Sequence, residues 1–169
     1  RPLEVAVNLS GPRRGLERGF LGARSLLRLR GPGQRVTARI VLARPVSGRL
    51  RLLAGLMGSE LAGLDGVAVL FPEFEGRALA APEVAGLRMS EAASALEELA
   101  PALSRLAPLT LYHFPLCVLS PRLRPLAART LDDAKVVFAL SCRGCRARPA
   151  CVGIDAVDVY GLSEVIGPG

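Results

Sequence analysis

Residues 3–9, Leu3-Glu4-Val5-Ala6-Val7-Asn8-Leu9, form a short apolar run that breaks at the polar turn Ser10-Gly11-Pro12. A run of this length closed by turn residues reads as a buried strand. Beyond it, Leu16, Phe20, Ala23 and Leu27 recur at helical spacing until Gly31-Pro32-Gly33 stops the pattern. Residues 36–43, rich in β-branched side chains, read as a second strand. Residues 47–62 read as a second helix, with Leu50, Leu53, Ala54, Met57 and Leu61 along one face. A third strand is expected over 67–71, ending at Pro72. A loop with Gly76, Pro82 and Gly86 then leads to Ser90, the expected N-cap of a third helix through Leu96, Leu99 and Leu103. Pro101 is expected to kink or break that helix, and residues 109–114 read as a fourth short strand.

The first three strand starts, near residues 3, 35 and 66, lie about one βαβ unit apart. The fold class is therefore α/β, with a parallel sheet, right-handed crossovers and helices expected on both faces. After residue 114 the alternation dissolves into a cysteine-bearing tail, which divides the chain into 1–114 and 115–169. Chemistry in such sheets gathers at the C-terminal ends of the strands. Here those ends carry Asn8 and Ser10, Arg44, and Glu73 with Glu75, residue types that also serve as ordinary turn and cap residues.

Half of the 169 residues are apolar, yet the chain has five Phe, two Tyr and no Trp. Its core must therefore be built from Leu, Ala and Val. Arginine carries nearly all the positive charge, Lys135 being the only lysine, and the net charge is +7. A nucleic-acid reader interleaves aromatics with its basic residues or clusters them on one element. These arginines scatter, with the densest groups at Arg13-Arg14-Arg18 and Arg143-Arg146-Arg148, and read as a solvated outer face rather than a nucleic-acid surface. No apolar run approaches the roughly 18 residues of a membrane span, and no secretory signal opens the chain. The expected setting is cytoplasmic, without a membrane partner. Because the chain begins with Arg1 and enters a buried-strand pattern at once, a preceding N-terminal portion is expected.

Four cysteines remain, Cys117, Cys142, Cys145 and Cys151, too few for a disulfide scaffold in a chain this long. In Cys142-Arg143-Gly144-Cys145 two thiolates face one centre, with Gly144 expected to let the backbone fold tightly around it. Cys151 returns five residues later, and Cys117 can supply a fourth ligand from a neighbouring loop. Soft thiolate sites favour zinc or iron–sulfur clusters. A zinc ribbon pairs two Cys-x-x-Cys knuckles where this chain has one. Haem attachment needs His after the second cysteine, where Arg146 stands. A thioredoxin-like pair leaves Cys117 and Cys151 without a role. We read the four as ligands of an iron–sulfur cluster, with zinc as the alternative. The single histidine, His113, reads as a hydrogen-bonded structural residue, contact with the cluster's surroundings being the alternative.

The ending Cys-x-x-Cys-x5-Cys-x-Gly-Ile, with Tyr160, Gly161 and Glu164 downstream, resembles the auxiliary-cluster tail of radical SAM enzymes, in its SPASM and shortened twitch forms. The upstream chain resembles the second half of their partial (β/α)6 barrel. Residues 5–12 look like the fourth barrel strand with its Ser-Gly-Pro exit, residues 36–42 the fifth, and residues 67–78 the sixth. The resemblance implies that Asn8 and Ser10 contact S-adenosylmethionine, and that Arg39 and Glu73 reach toward it or the substrate. It also implies that the four cysteines hold an auxiliary 4Fe-4S cluster, in an enzyme modifying a peptide or a small molecule. The family's Cys-x3-Cys-x2-Cys motif and its Gly-Gly-Glu stretch are absent. A further cysteine of the full SPASM pattern is missing after Cys151. On this resemblance the chain is a fragment or a degenerate relative, completed by a missing N-terminal half or a partner chain. The competing function is a non-catalytic, zinc-stabilised binding module.

Overall fold

A computed structural model describes residues 3–9, 13–73 and 86–155. In chain order the main elements are β1 (Leu3–Asn8), α1 (Arg13–Leu29), β2 (Gln34–Val41), α2 (Arg44–Ser47), α3 (Leu50–Glu60), β3 (Gly66–Leu70), α4 (Met89–Leu106), β4 (Leu109–Tyr112) and β5 (Ala127–Ala128). Two further short strands follow, β6 (Val136–Val137) and β7 (Ile154–Asp155). Strands β1 to β5 form one parallel sheet in the order 1-2-3-4-5, and β6 pairs antiparallel with β7. The architecture is α/β. Its fifth strand comes from the stretch that follows the alternating pattern; two residues are too few to carry a period.

The described helices pack on one face of the sheet, and at β3 the opposite face is buried as well, through Ala68 and Leu70. Val36, Ala38 and Ile40 of β2, Val67 and Val69 of β3, and Leu109 and Leu111 of β4 pack with Phe20 and Ala23 of α1, Leu53 and Met57 of α3, and Leu96, Leu99 and Leu103 of α4. Gly19 lets α1 approach β1, since a Cβ there would stand 2.5 Å from the Asn8 carbonyl oxygen. On the other face Glu4, Ala6 and Asn8 are exposed, and Thr37 and Arg39 are half-buried. The Thr37 hydroxyl donates to Glu4 Oε1 at 2.7 Å there.

Among the described residues the expectation of helices on both faces is therefore corrected. A sheet carries helices on both faces when its strand order reverses. Here each strand adds on the same side of the last, so crossovers of one hand stack on one face.

Three further details differ from the pattern. The helix expected over 47–62 is split into α2 and α3 by Gly48 and Arg49, although Leu50, Leu53, Met57 and Leu61 are buried as their spacing requires. The third helix is capped at Arg88, not Ser90: the Glu91 carboxylate accepts the Arg88 backbone N–H at 3.0 Å. Pro101 does not end α4, which continues to Leu106. Proline removes the N–H that would bond the carbonyl four residues back, here that of Glu97. The Arg122 guanidinium supplies the replacement, donating to Glu97 O at 2.9 Å and to Glu97 Oε2 at 2.6 Å. The Ser120 hydroxyl and Arg122 together hold the Glu97 carboxyl below its ordinary value, against a smaller opposing effect of burial.

Candidate metal centre and the sheet-end cluster

The cysteines are presented by turns. Cys117 lies in the turn after β4, where Val118 N–H bonds the Pro115 carbonyl at 3.1 Å. Residues Leu140–Gly144 make a 3-10 turn carrying Cys142, and Cys145 N–H donates back to the Cys142 carbonyl at 3.3 Å. A second 3-10 turn, Arg148–Ala150, delivers Cys151. Strands β6 and β7 close the neck of this loop, with Val136 opposite Asp155 and Val137 opposite Ile154. Residues 138–153 thus hang as one loop carrying three of the four cysteines.

Gly144 is not the glycine that shapes this loop. A Cβ at Gly144 would meet nothing within 4 Å. Gly153 is: its φ is +71°, and a Cβ would collide with Val136 Cγ1 across the neck and stand 3.2 Å from the Val137 carbonyl oxygen. The sequence signal was present in Cys151-Val152-Gly153, but only the β6–β7 pairing shows what the glycine must avoid.

All four cysteines line one cavity of about 470 Å³, together with Leu116, Phe138, Ile154, Arg124, Arg146 and Arg148. All are free thiols: Cys151 is buried, Cys142 and Cys145 are half-buried, and Cys117 reaches the surface. The Leu116 backbone N–H lies 3.4 Å from Cys151 Sγ, linking the Cys117 turn to the Cys151 arm. Desolvation of its sulfur, followed by the neighbouring Cys151, Cys142 and Cys145, pushes the Cys117 thiol above its ordinary value. Among the described residues no group of three His, Cys, Asp or Glu side chains is gathered closely enough to hold a metal ion. The four sulfurs share a cavity without closing on a point. As a donor set they suit a soft-ligand cluster.

The strand ends carry a second cluster. Asn8 and Arg39 are partners in the β1–β2 register, and Arg39 is in turn opposite buried Ala68, so both polar residues stand in one row on the face away from the described helices. Glu73, beyond β3, approaches His113 Nδ1 at 3.5 Å. Ser10 and Glu75 lie outside the described residues, as do Tyr160, Gly161 and Glu164. Arg44 heads α2, with its Nε donating to the Gly86 carbonyl at 2.9 Å.

His113, directly after β4, is buried and adopts φ +67°. Its Nδ1 faces the Phe71 carbonyl at 3.4 Å and its Nε2 lies 3.2 Å from Thr130 Oγ1. The carbonyl assigns the proton to Nδ1, leaving Nε2 to accept from the Thr130 hydroxyl. Burial lowers its pKa most, and Arg39 adds in the same direction. Glu73, the Phe71 carbonyl and buried Asp155 oppose them. His113 thus joins the ends of β3 and β4 to Thr130, and it stands within the field of Asp155 on β7.

A histidine whose folded pKa is depressed stays neutral in the native state while the unfolded chain takes up a proton near pH 6.5. Its contribution to stability is complete above that value and is lost as the pH falls through it toward the folded pKa. The melting temperature is expected to fall between about pH 7.5 and about pH 5.5. Since His113 is the only histidine, His113→Asn, which tolerates a positive φ, is expected to flatten that fall. An unchanged slope in His113→Asn would assign the dependence elsewhere.

Among the described residues no helix is long and apolar enough to cross a membrane. No family model, curated protein or solved structure matches this chain.

Proposed function

We propose that the chain is the C-terminal part of a radical SAM enzyme, or a degenerate relative of one, whose Cys117, Cys142, Cys145 and Cys151 hold an auxiliary 4Fe-4S cluster. One observation carries this reading: a cysteine at 117 and three at 142–151, distant in sequence, line the same cavity. A lone zinc needs its sulfurs about 2.3 Å from one centre. A cubane is held by thiolates spread around it, so it asks less convergence of the four than a lone ion does. When bound, the cluster supplies electron transfer. The chain's own part is to present four thiolates on short turns, tie their loop at the β6–β7 neck, and keep Cys151 from solvent.

The unreversed strand order supports the second half of a partial (β/α)6 barrel, since barrel strands follow one another in chain order with helices outside. On this reading the sheet face away from the described helices is the barrel's interior. Asn8 and Arg39, side by side in one row, face S-adenosylmethionine or substrate with Ser10 and Glu73. The SAM-cleaving half then comes from a preceding segment or a partner chain, and the substrate is a peptide or small molecule met in the cytoplasm.

Protein reconstituted without oxygen is expected to bind about four irons per chain and to show broad absorption near roughly 400 nm. A colourless protein with one zinc would instead make the cysteines a structural clamp in a binding module.

A further inference from the structure

We infer that the cavity beside the cysteines takes a carboxylate-bearing substrate, an acidic peptide segment whose apolar part lies against Leu116, Phe138 and Ile154. The inference rests on the cluster reading above and names the substrate class of the same site.

Arg124, Arg146 and Arg148 line this cavity, and among the described residues no Asp or Glu does. Elsewhere in the molecule arginines meet carboxylates: Arg24 with Glu60, Arg30 with Asp65, Arg51 with Glu98, Arg122 with Glu97 and Arg129 with Asp133. The cavity arginines are held differently. Arg124 Nε donates to the Leu116 and Leu119 carbonyls, each at 3.1 Å. The Arg148 guanidinium carbon lies 4.9 Å from the centroid of the Phe138 ring, a cation–π contact. Both are oriented by neutral groups, so no anion among the described residues cancels their charge. No carboxylate among the described residues pairs with Arg146.

Guanidinium groups bind carboxylates in a planar, two-pronged geometry. The cavity measures about 470 Å³, within the roughly 300–1,000 Å³ typical of ligand sites, and a cluster held by the four thiolates would share it with the ligand. Thiolates of a bound cluster offset part of the positive charge. The alternative use of the arginines, balancing the cluster, is therefore the one the experiment must separate.

The probes are fluorescein-labelled hexapeptides read by fluorescence anisotropy. One alternates Glu and Leu with an amidated end, one alternates Gln and Leu with an amidated end, and one alternates Gln and Leu with a free carboxylate. The Glu/Leu peptide is expected to bind about tenfold tighter than the amidated Gln/Leu peptide. Tight binding of the free-carboxylate Gln/Leu peptide would support the same chemistry and assign it to a chain terminus. Arg146→Gln, at an exposed position, is expected to remove the preference. Arg143→Gln, in the same loop but outside the cavity lining, is expected to keep it.

Equal affinity for all three peptides overturns the inference, as does a preference that survives Arg146→Gln. A shift in cluster potential with Arg146→Gln and no change in peptide binding also overturns it, leaving the arginines to balance the cluster. Iron is assayed in the same samples. Preference in protein that takes up no iron sustains the carboxylate site and removes the cluster reading, whereas iron-loaded protein without preference does the reverse.

Discussion

Gly153→Ala is expected to abolish metal loading of a protein whose helices and main sheet remain folded. The residue sits one position before β7 at φ +71°, and its missing Cβ leaves room for Val136 on the opposing strand. Alanine meets two costs there. Its backbone is forced into the left-handed region, at about 1–2 kcal/mol, and its methyl overpacks the β6–β7 neck, at typically about 1–3 kcal/mol. The neck has two residue pairs and little with which to resist. The 138–153 loop therefore opens locally before the main sheet does. Far-ultraviolet circular dichroism should be nearly unchanged, and iron bound after reconstitution should fall from about four per chain to below about one. Full loading by Gly153→Ala would show that the neck does not position the cysteines. A second substitution, Gly144→Ala, should load normally, because nothing lies within 4 Å of the added methyl.

Cys151→Ser should lose iron to a similar extent while keeping its melting temperature. Cys151 has two jobs in the structure. Its sulfur is the buried member of the set, and it faces the Leu116 backbone N–H. Serine keeps an acceptor for that N–H but provides no thiolate, so it separates ligation from packing. Cys151→Ala, which leaves the Leu116 N–H without its partner, should also lower stability, by about 1–3 kcal/mol. If Cys151→Ser binds about four irons with an unaltered spectrum, Cys151 is not a ligand. The cluster would then need a donor other than the four cysteines.

The sheet's first four strands and three principal helices were legible because each has a period and a length that local physics enforces, but β1, read as buried, is an edge strand with Leu3, Glu4, Ala6 and Asn8 exposed. Phe20 with Ala23, and Leu53 with Met57, lie in the core where their spacing puts them. Proline at 101 misled because the loss it causes is local while the remedy is distant: Arg122, from the turn beyond β4, caps the Glu97 carbonyl. Likewise β5, β6 and β7 have two residues each, and such strands exist only because a neighbour is already in place to pair with them.

The candidate site divides in the same way. Its donor chemistry is written in the chain, since Cys-x-x-Cys within one turn and a third cysteine close behind are a soft-ligand donor set. That Cys117 belongs with them, that Gly153 rather than Gly144 holds the loop, and that His113 gathers Phe71, Thr130 and Glu73 at the strand ends all depend on contacts between residues distant in sequence. The sequence by itself determined which residues offer thiols and which segments can be helix or strand, because both are properties of single residues or a few neighbouring side chains. Tertiary structure alone decided that the described helices share one face and that three arginines border the cysteine cavity, because direction of strand addition and convergence of loops belong to the packed chain.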